Sequence, residues 1–208
     1  MILASASPAR LTTLRGVGIA PEVRVADVDE DSILAAAKAV AAATGEPLSP
    51  AEQVLVLARA KAEEIARTAA ERDLILGCDS MLELGGTVVG KPATAEIAVE
   101  RWMQMRGSSG RLHTGHWLID TRGDEPVALG ATSTTIVHFA DLSDEEIRAY
   151  VATGEPLRVA GAFTIDGLGG AYVTGIEGDH HGVVGLSLPL FRELLLERGV
   201  TIHELAAG

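Results

Sequence analysis

The chain opens Ile2-Leu3-Ala4-Ser5-Ala6-Ser7-Pro8-Ala9-Arg10, and the fold is read outward from this stretch. Ile2-Leu3-Ala4 is a short apolar strand and Ser5-Ala6-Ser7 a turn; Ser7 and Pro8 then stand in N-cap and N1 order, opening a helix to Arg15 with Gly16 behind it. A strand feeding a helix start predicts α/β architecture. Val23 and Val25 mark a short strand inside a polar, acidic segment, and Ser32 to Thr44 reads as an alanine-rich helix ended by Gly45. Ser49-Pro50-Ala51-Glu52 is a capping box opening a helix to about Arg72. Leu74-Ile75-Leu76-Gly77-Cys78 follows as a buried strand that ends at Asp79-Ser80.

Beyond Asp79 the pattern changes from alternating strands and helices to hairpins. Gly85-Gly86, between Met81 and Val89, suits a two-residue turn, which pairs Leu84 with Thr87 and, extrapolated, Ser80 with Lys91. Thr94 to Arg106 is a helix closed by Gly107-Ser108-Ser109-Gly110. His113 to Asp120 and Ala131 to Leu142 are strands joined across residues 122–126. Ser143 with Glu146 is a second capping box, whose helix stops before Gly154; the chain from Gly154 through Gly185 then holds nine glycines, and Pro189 to Arg198 is the last helix. The expectation is one α/β domain over residues 1–208, with a mixed sheet flanked by helices.

Composition narrows the function. In 208 residues there is one cysteine, Cys78, too few for a disulfide or a zinc cluster, and no apolar run approaches the ~20 residues of a membrane span. With no basic leader before the first strand, a cytoplasmic protein is expected, neither secreted nor membrane-bound. The formal net charge of −12 argues against nucleic acid as a partner. An anionic ligand therefore needs locally placed cations.

Five stretches carry candidate chemistry. The Ser5-to-Arg10 turn aims helix amides at one spot that suits phosphate, and Arg10 near the helix start is disfavoured unless an anion lies beside it; an ordinary Ser cap with a solvent-facing Arg explains the same residues. Asp79-Ser80 with Gly90-Lys91-Pro92 is either a ligand site at a strand end or a structural Asp–Lys pair at a hairpin base. Asp27-Val28-Asp29-Glu30-Asp31 is a solvated acidic loop or a holder of Mg²⁺. Lys61 interrupts the apolar stripe Val54, Leu57, Ala58, Ala62, Ile65, so it either snorkels from the edge or reaches a phosphate. The glycine-rich stretch Ala160 to Gly170 matches neither phosphate-loop nor dinucleotide fingerprints, and Asp166 is its one ionisable group. His113, His116, His180 and His181 lack metal-site spacing and are assigned no metal.

Taken in order, these stretches resemble the Maf family of nucleoside triphosphate pyrophosphatases: Leu3 to Arg10, Asp29-Glu30, Ala58-x-x-Lys61-Ala62, Gly77-Cys78-Asp79-Ser80, Gly90-Lys91-Pro92, Ala160 to Phe163 with Ile165-Asp166-Gly167, Ile176 to Asp179, and Val183 to Leu186. The resemblance implies a cytoplasmic homodimer with a twisted mixed sheet like that of inosine triphosphatase. It would cut a nucleoside triphosphate to the monophosphate and pyrophosphate with Mg²⁺ or Mn²⁺. By the same resemblance, Ser5, Ser7 and Arg10 grip phosphate, Lys61 and Lys91 face the triphosphate, Glu30 and Asp79 associate with metal, and Asp79 activates water. Catalysis is thereby expected of Asp79, Lys91 and Arg10, and substrate binding also of Ser80 and Asp166. This chain departs from the pattern at Ala9, where Arg or Trp is frequent, at Ser80, where Thr is usual, and at Asp166, where Gln or Glu is usual. Those positions bear on the base, so the substrate stays open between dTTP or UTP, toward which Ile-Asp-Gly leans, and 7-methyl-GTP. A nucleotide-binding regulator of septation with little turnover, and a phosphatase releasing orthophosphate, are the competing readings.

Overall fold

A computed structural model describes residues 1–69 and 72–206. The opening unit forms as its sequence dictates: β1 (Ile2–Ala4) turns into α1 (Pro8–Gly16), where the Ser7 hydroxyl accepts the Arg10 amide. β2 (Glu22–Arg24) follows, then α2 (Glu30–Thr44), capped by Asp29 and closed by Gly45 at φ 83°. The capping box of Ser49 and Glu52 starts α3 (Pro50–Ala66). The expected continuation of this helix to Arg72 does not occur. Its apolar stripe ends at Ile65, Arg67 caps it, and Arg72 sits at φ 75° with its amide on the Thr121 carbonyl, while residues 70 and 71 lie outside the described residues.

The sheet is mixed, in the order β2-β1-β3-β5-β6-β7, with β1 parallel to both neighbours and every later pairing antiparallel. Its centre is β3 (Leu74–Leu84), which pairs with β4 (Thr87–Val89) through the Gly85-Gly86 turn and with β5 (Ser109–Asp120) on its other edge. Leu84 opposes Thr87 as expected, but the β3–β4 ladder stops at Leu82–Val89, so Ser80 and Lys91 are not strand partners. Asp79 and Ser80 also lie inside β3 rather than at its end. β5 keeps β3 paired through Glu83, whereas β1 releases it after Gly77. α4 (Ala95–Met105) is capped by Thr94. β5 and β6 (Val127–Phe139) both begin earlier than side-chain alternation indicates, because their ladder runs unbroken from Ser109–His138 to Asp120–Val127 and carries small and polar residues with it. α5 (Asp144–Ala152) has the second capping box. Residues 154–185 fold into three 3₁₀ turns, β7 (Val173–Glu177) and α6 (His180–Val184), and the chain closes with α7 (Leu188–Glu197) and α8 (Ile202–Ala206).

Strand parity divides the core. Leu74, Leu76 and Cys78 pack with Leu3, Leu14 and Phe191 under α1 and α7, whereas Ile75 packs with Ile2, Ala62 and Ile119 under α3. A third cluster, around buried Trp102, covers the far half of the sheet, its indole edge-to-face with Phe139, Tyr150 and Tyr172. α3 lies against the sheet at backbone distance because Gly77 and Gly115 present no side chain to it: a Cβ would stand 2.2 Å from the Ala58 carbonyl at the first and 2.6 Å from Val54 at the second. No described helix is long and apolar enough to cross a membrane.

Candidate active site

Where β1 ends at Ala4 while β3 continues, a strand's width of sheet is left open, and a cleft of about 900 Å³ occupies it. Successive residues of β3 point to opposite faces. Asp79 therefore turns toward α3, and Ser80 toward α1 and α6. The close seat of α3 brings Lys61 to Asp79: Nζ donates to Asp79 Oδ1 at 2.5 Å and pairs with Glu30 Oε1, from the first turn of α2, at 2.8 Å. Asp79 is buried, and this pushes its carboxyl above the usual carboxylate range; Lys61 and Arg10 pull it down, and Glu30 adds to the rise.

On the other face Arg10 is a structural hub. Its Nε donates to the Gly185 carbonyl at 2.7 Å, Nη1 to Ser5 Oγ at 2.9 Å and Nη2 to Ser80 Oγ at 3.1 Å. Thr114 Oγ1, fully buried on β5 beneath Ser80, gives its proton to the Gly182 carbonyl, so the 2.8 Å contact with Ser80 takes its proton from Ser80. One directed chain thus runs from Arg10 through Ser80 and Thr114 to α6. A guanidinium has five N–H groups, so two remain for a ligand. Ser5 Oγ also accepts the Ser7 amide at 3.2 Å, which tightens the turn around the cleft floor.

Ser5, Ser7, Arg10, Glu30, Lys61, Asp79, Ser80 and Lys91 all line this cleft. Asp166 does not. It is exposed and accepts the hydroxyl of Thr164, a lining residue, so it stands one side chain away from the cleft. His180 and His181 are not lining residues either; Asp179 caps their short helix through the His181 and Gly182 amides. His116 donates from Nδ1 to the Thr114 carbonyl and accepts the Ser187 amide at Nε2, and burial pulls its pKa down to about 4, so it is neutral and structural. His113 sits between Glu83 and Thr134. Burial lifts the Cys78 thiol to about 12, which leaves it unreactive near neutral pH. Two lining or supporting residues escaped the sequence reading. Arg158 reaches the cleft from a 3₁₀ turn just before the glycine-rich stretch, where its neighbours held the only signal, and Thr114 is identified only by the β3–β5 register.

Among the described residues, no group of three or more His, Cys, Asp or Glu side chains converges on one point. Glu30 and Asp79 nevertheless surround a single cation, the Lys61 ammonium, and are hard oxygen donors. Two carboxylates completed by ligand phosphates and water are the usual donor set for Mg²⁺ or Mn²⁺, so these residues fit such an ion.

By fold the chain is an α/β protein with its cleft where the strand pattern switches, the place at which such folds commonly hold ligands. More narrowly, it belongs to the Maf family: the family model described as Maf-like protein matches residues 1–198. It is similar to proteins named nucleoside triphosphate pyrophosphatase from Streptomyces coelicolor (49% identical, covering 100% of this chain and 94% of that one) and from Nocardia farcinica (51%, covering 99% and 95%). A protein of the same name from Mycobacterium marinum is 45% identical, over 100% of this chain and 97% of its own length.

Proposed function

We propose that this cleft hydrolyses a nucleoside triphosphate to the nucleoside monophosphate and pyrophosphate. The observation that carries the reading is the buried Asp79 carboxylate, held by Lys61 in the same cleft as Arg10 and Lys91. The names of the relatives support it. Phosphoryl chemistry asks mainly for positioning and neutralisation of charge. Lys91, the remaining Arg10 donors and the Ser5–Ser7 turn bind and orient the triphosphate. Asp79 takes a proton from water as its oxygen attacks the α-phosphorus, the bond to the bridging oxygen breaks, and pyrophosphate leaves with that oxygen and its electron pair. Burial raises the carboxyl toward the working pH, which improves it as a base. A divalent ion held by Glu30 and Asp79 supplies further neutralisation of the phosphates when bound.

Within this reading a pyrimidine base, as in dTTP or UTP, is favoured, because Asp166 accepts an N–H such as pyrimidine N3. Its tie to Thr164 at the cleft supports that role. A cytoplasmic homodimer belongs to the same proposal, and sedimentation of the purified chain checks the assembly. The reaction is tested by product analysis with dTTP, UTP, 5-methyl-UTP, CTP, 7-methyl-GTP and ITP in Mg²⁺ or Mn²⁺. Pyrophosphate is expected from one or two bases, falling about 10²–10⁴-fold in Asp79→Asn with nucleotide binding retained. Orthophosphate as product, or binding without turnover on any base, overturns it.

A further inference from the structure

Four cations line the cleft: Arg10, Lys61, Lys91 and Arg158. Two are committed inside the protein. Arg10 spends three donors on Gly185, Ser5 and Ser80, and Lys61 is shared by Asp79 and Glu30. Among the described residues, no carboxylate lies within ion-pair distance of Lys91 or Arg158. Nor is Glu155, in the same 3₁₀ turn as Arg158, a free counter-ion. Its carboxylate accepts the Tyr150 hydroxyl and the Leu168 and Gly169 amides. In a chain of formal charge −12, two cations without an ion-pair partner among the described residues thus stand at one cleft.

The backbone holds these two together. The Gly161 amide donates to the Gly90 carbonyl at 3.2 Å, and Arg101 Nη1 donates to the same oxygen, so the segment entering Lys91 is clasped to the segment leaving Arg158. Half-buried Leu157 packs against the Trp102 cluster and Pro156 beside it is buried, which fixes the backbone at Arg158 while Arg158 itself is exposed. A guanidinium so placed presents a fork of donors that matches phosphate oxygens. We propose that Arg158 is a substrate-contacting residue that, with Lys91, binds the polyphosphate chain of the triphosphate; this rests on the triphosphatase reading above.

The test uses inorganic tripolyphosphate, which has the charge and no base. Its affinity for the wild-type protein, Arg158→Gln and Arg158→Lys is measured by calorimetry, beside KM and kcat on the best triphosphate and a melting curve. Loss of charge-assisted hydrogen bonds predicts tripolyphosphate affinity about ten- to a hundred-fold weaker in Arg158→Gln, with a matching rise in KM, partial recovery in Arg158→Lys and an unchanged melting temperature. Unchanged tripolyphosphate affinity overturns the proposal, including the case in which only base selectivity moves, which assigns Arg158 to the base. Because calorimetry needs no turnover, the outcomes separate. A wild-type protein that binds tripolyphosphate through Arg158 but hydrolyses nothing defeats the enzyme reading alone, and one that hydrolyses a triphosphate to pyrophosphate but binds no tripolyphosphate defeats the Arg158 proposal alone.

Discussion

Lys61 stands between two carboxylates, and its removal tests how far the site is held by that single charge. In Lys61→Met, Glu30 and buried Asp79 lose their shared cation, so one negative charge is left largely desolvated. Breaking a buried pair from one side costs on the order of 3 kcal/mol, visible in a denaturant midpoint, and turnover should fall with it. Lys61 was legible in the sequence because a lysine in an apolar helical stripe violates the pattern; Arg158 was not, since an arginine in a loop violates nothing. Asp166 shows the converse. Its position inside the glycine-rich stretch marks it out, yet only its fold-level placement beside Thr164 tells how near the cleft it stands.

At the scale of elements, the seat of α3 on β3 and β5 decides the site. Gly77 and Gly115 allow backbone-to-backbone approach, and Asp79 is two residues beyond the first and opposite the second. A Cβ at Gly77 meets the Ala58 carbonyl and Ala62 amide, which no rotamer change relieves. Gly77→Ala should therefore cost about 1–3 kcal/mol or more, measured by urea unfolding, and should also slow turnover by lifting Lys61 from Asp79. A merely local steric clash would lower stability and leave kcat unchanged. Four helix starts were readable, because capping acts within four residues: Ser7, Ser49, Thr94 and Ser143 all accept the N3 amide that their positions demand, whereas α2 begins at Glu30 under an Asp29 cap and not at Ser32 as the sequence suggested.

Across the whole molecule, Asp120 ties the sheet to the last long helix. It accepts Nε and Nη2 of Arg122 at 2.8 Å each and Nε of Arg198, which caps α7, at 3.1 Å. These bonds, those of Arg122 foremost, hold its carboxyl well below the usual carboxylate range. A carboxyl depressed in the folded state contributes stability that is complete above its unfolded pKa of about 3.9 and is lost as pH falls toward the folded value. Asp120→Asn is expected to unfold about 2 kcal/mol more easily at neutral pH, and the gap to wild type should close as thermal melts are taken below about pH 4. A constant gap down to pH 2 would contradict this. In a chain of formal charge −12, Arg10, Lys91 and Arg158 gather positive charge at the cleft, which favours an anionic ligand there.

The sequence by itself determined the α/β class, the starts of α1, α3, α4 and α5, the Gly85-Gly86 turn with its Leu84–Thr87 register, and the stretches from which the cleft is built. Each of these depends on forces that act within a few residues: backbone dihedral preference, side-chain capping and the period of apolar residues. Only the tertiary structure decided that Asp79 and Ser80 lie within β3, that Ser80 rests on Thr114 thirty-four residues away, and that Lys91 leaves its hairpin ladder. It also set the end of α3 and the approach of Arg158. Those outcomes depend on which strands bury one another and how closely a helix can settle on them, and such non-local contacts leave no period in the chain that makes them.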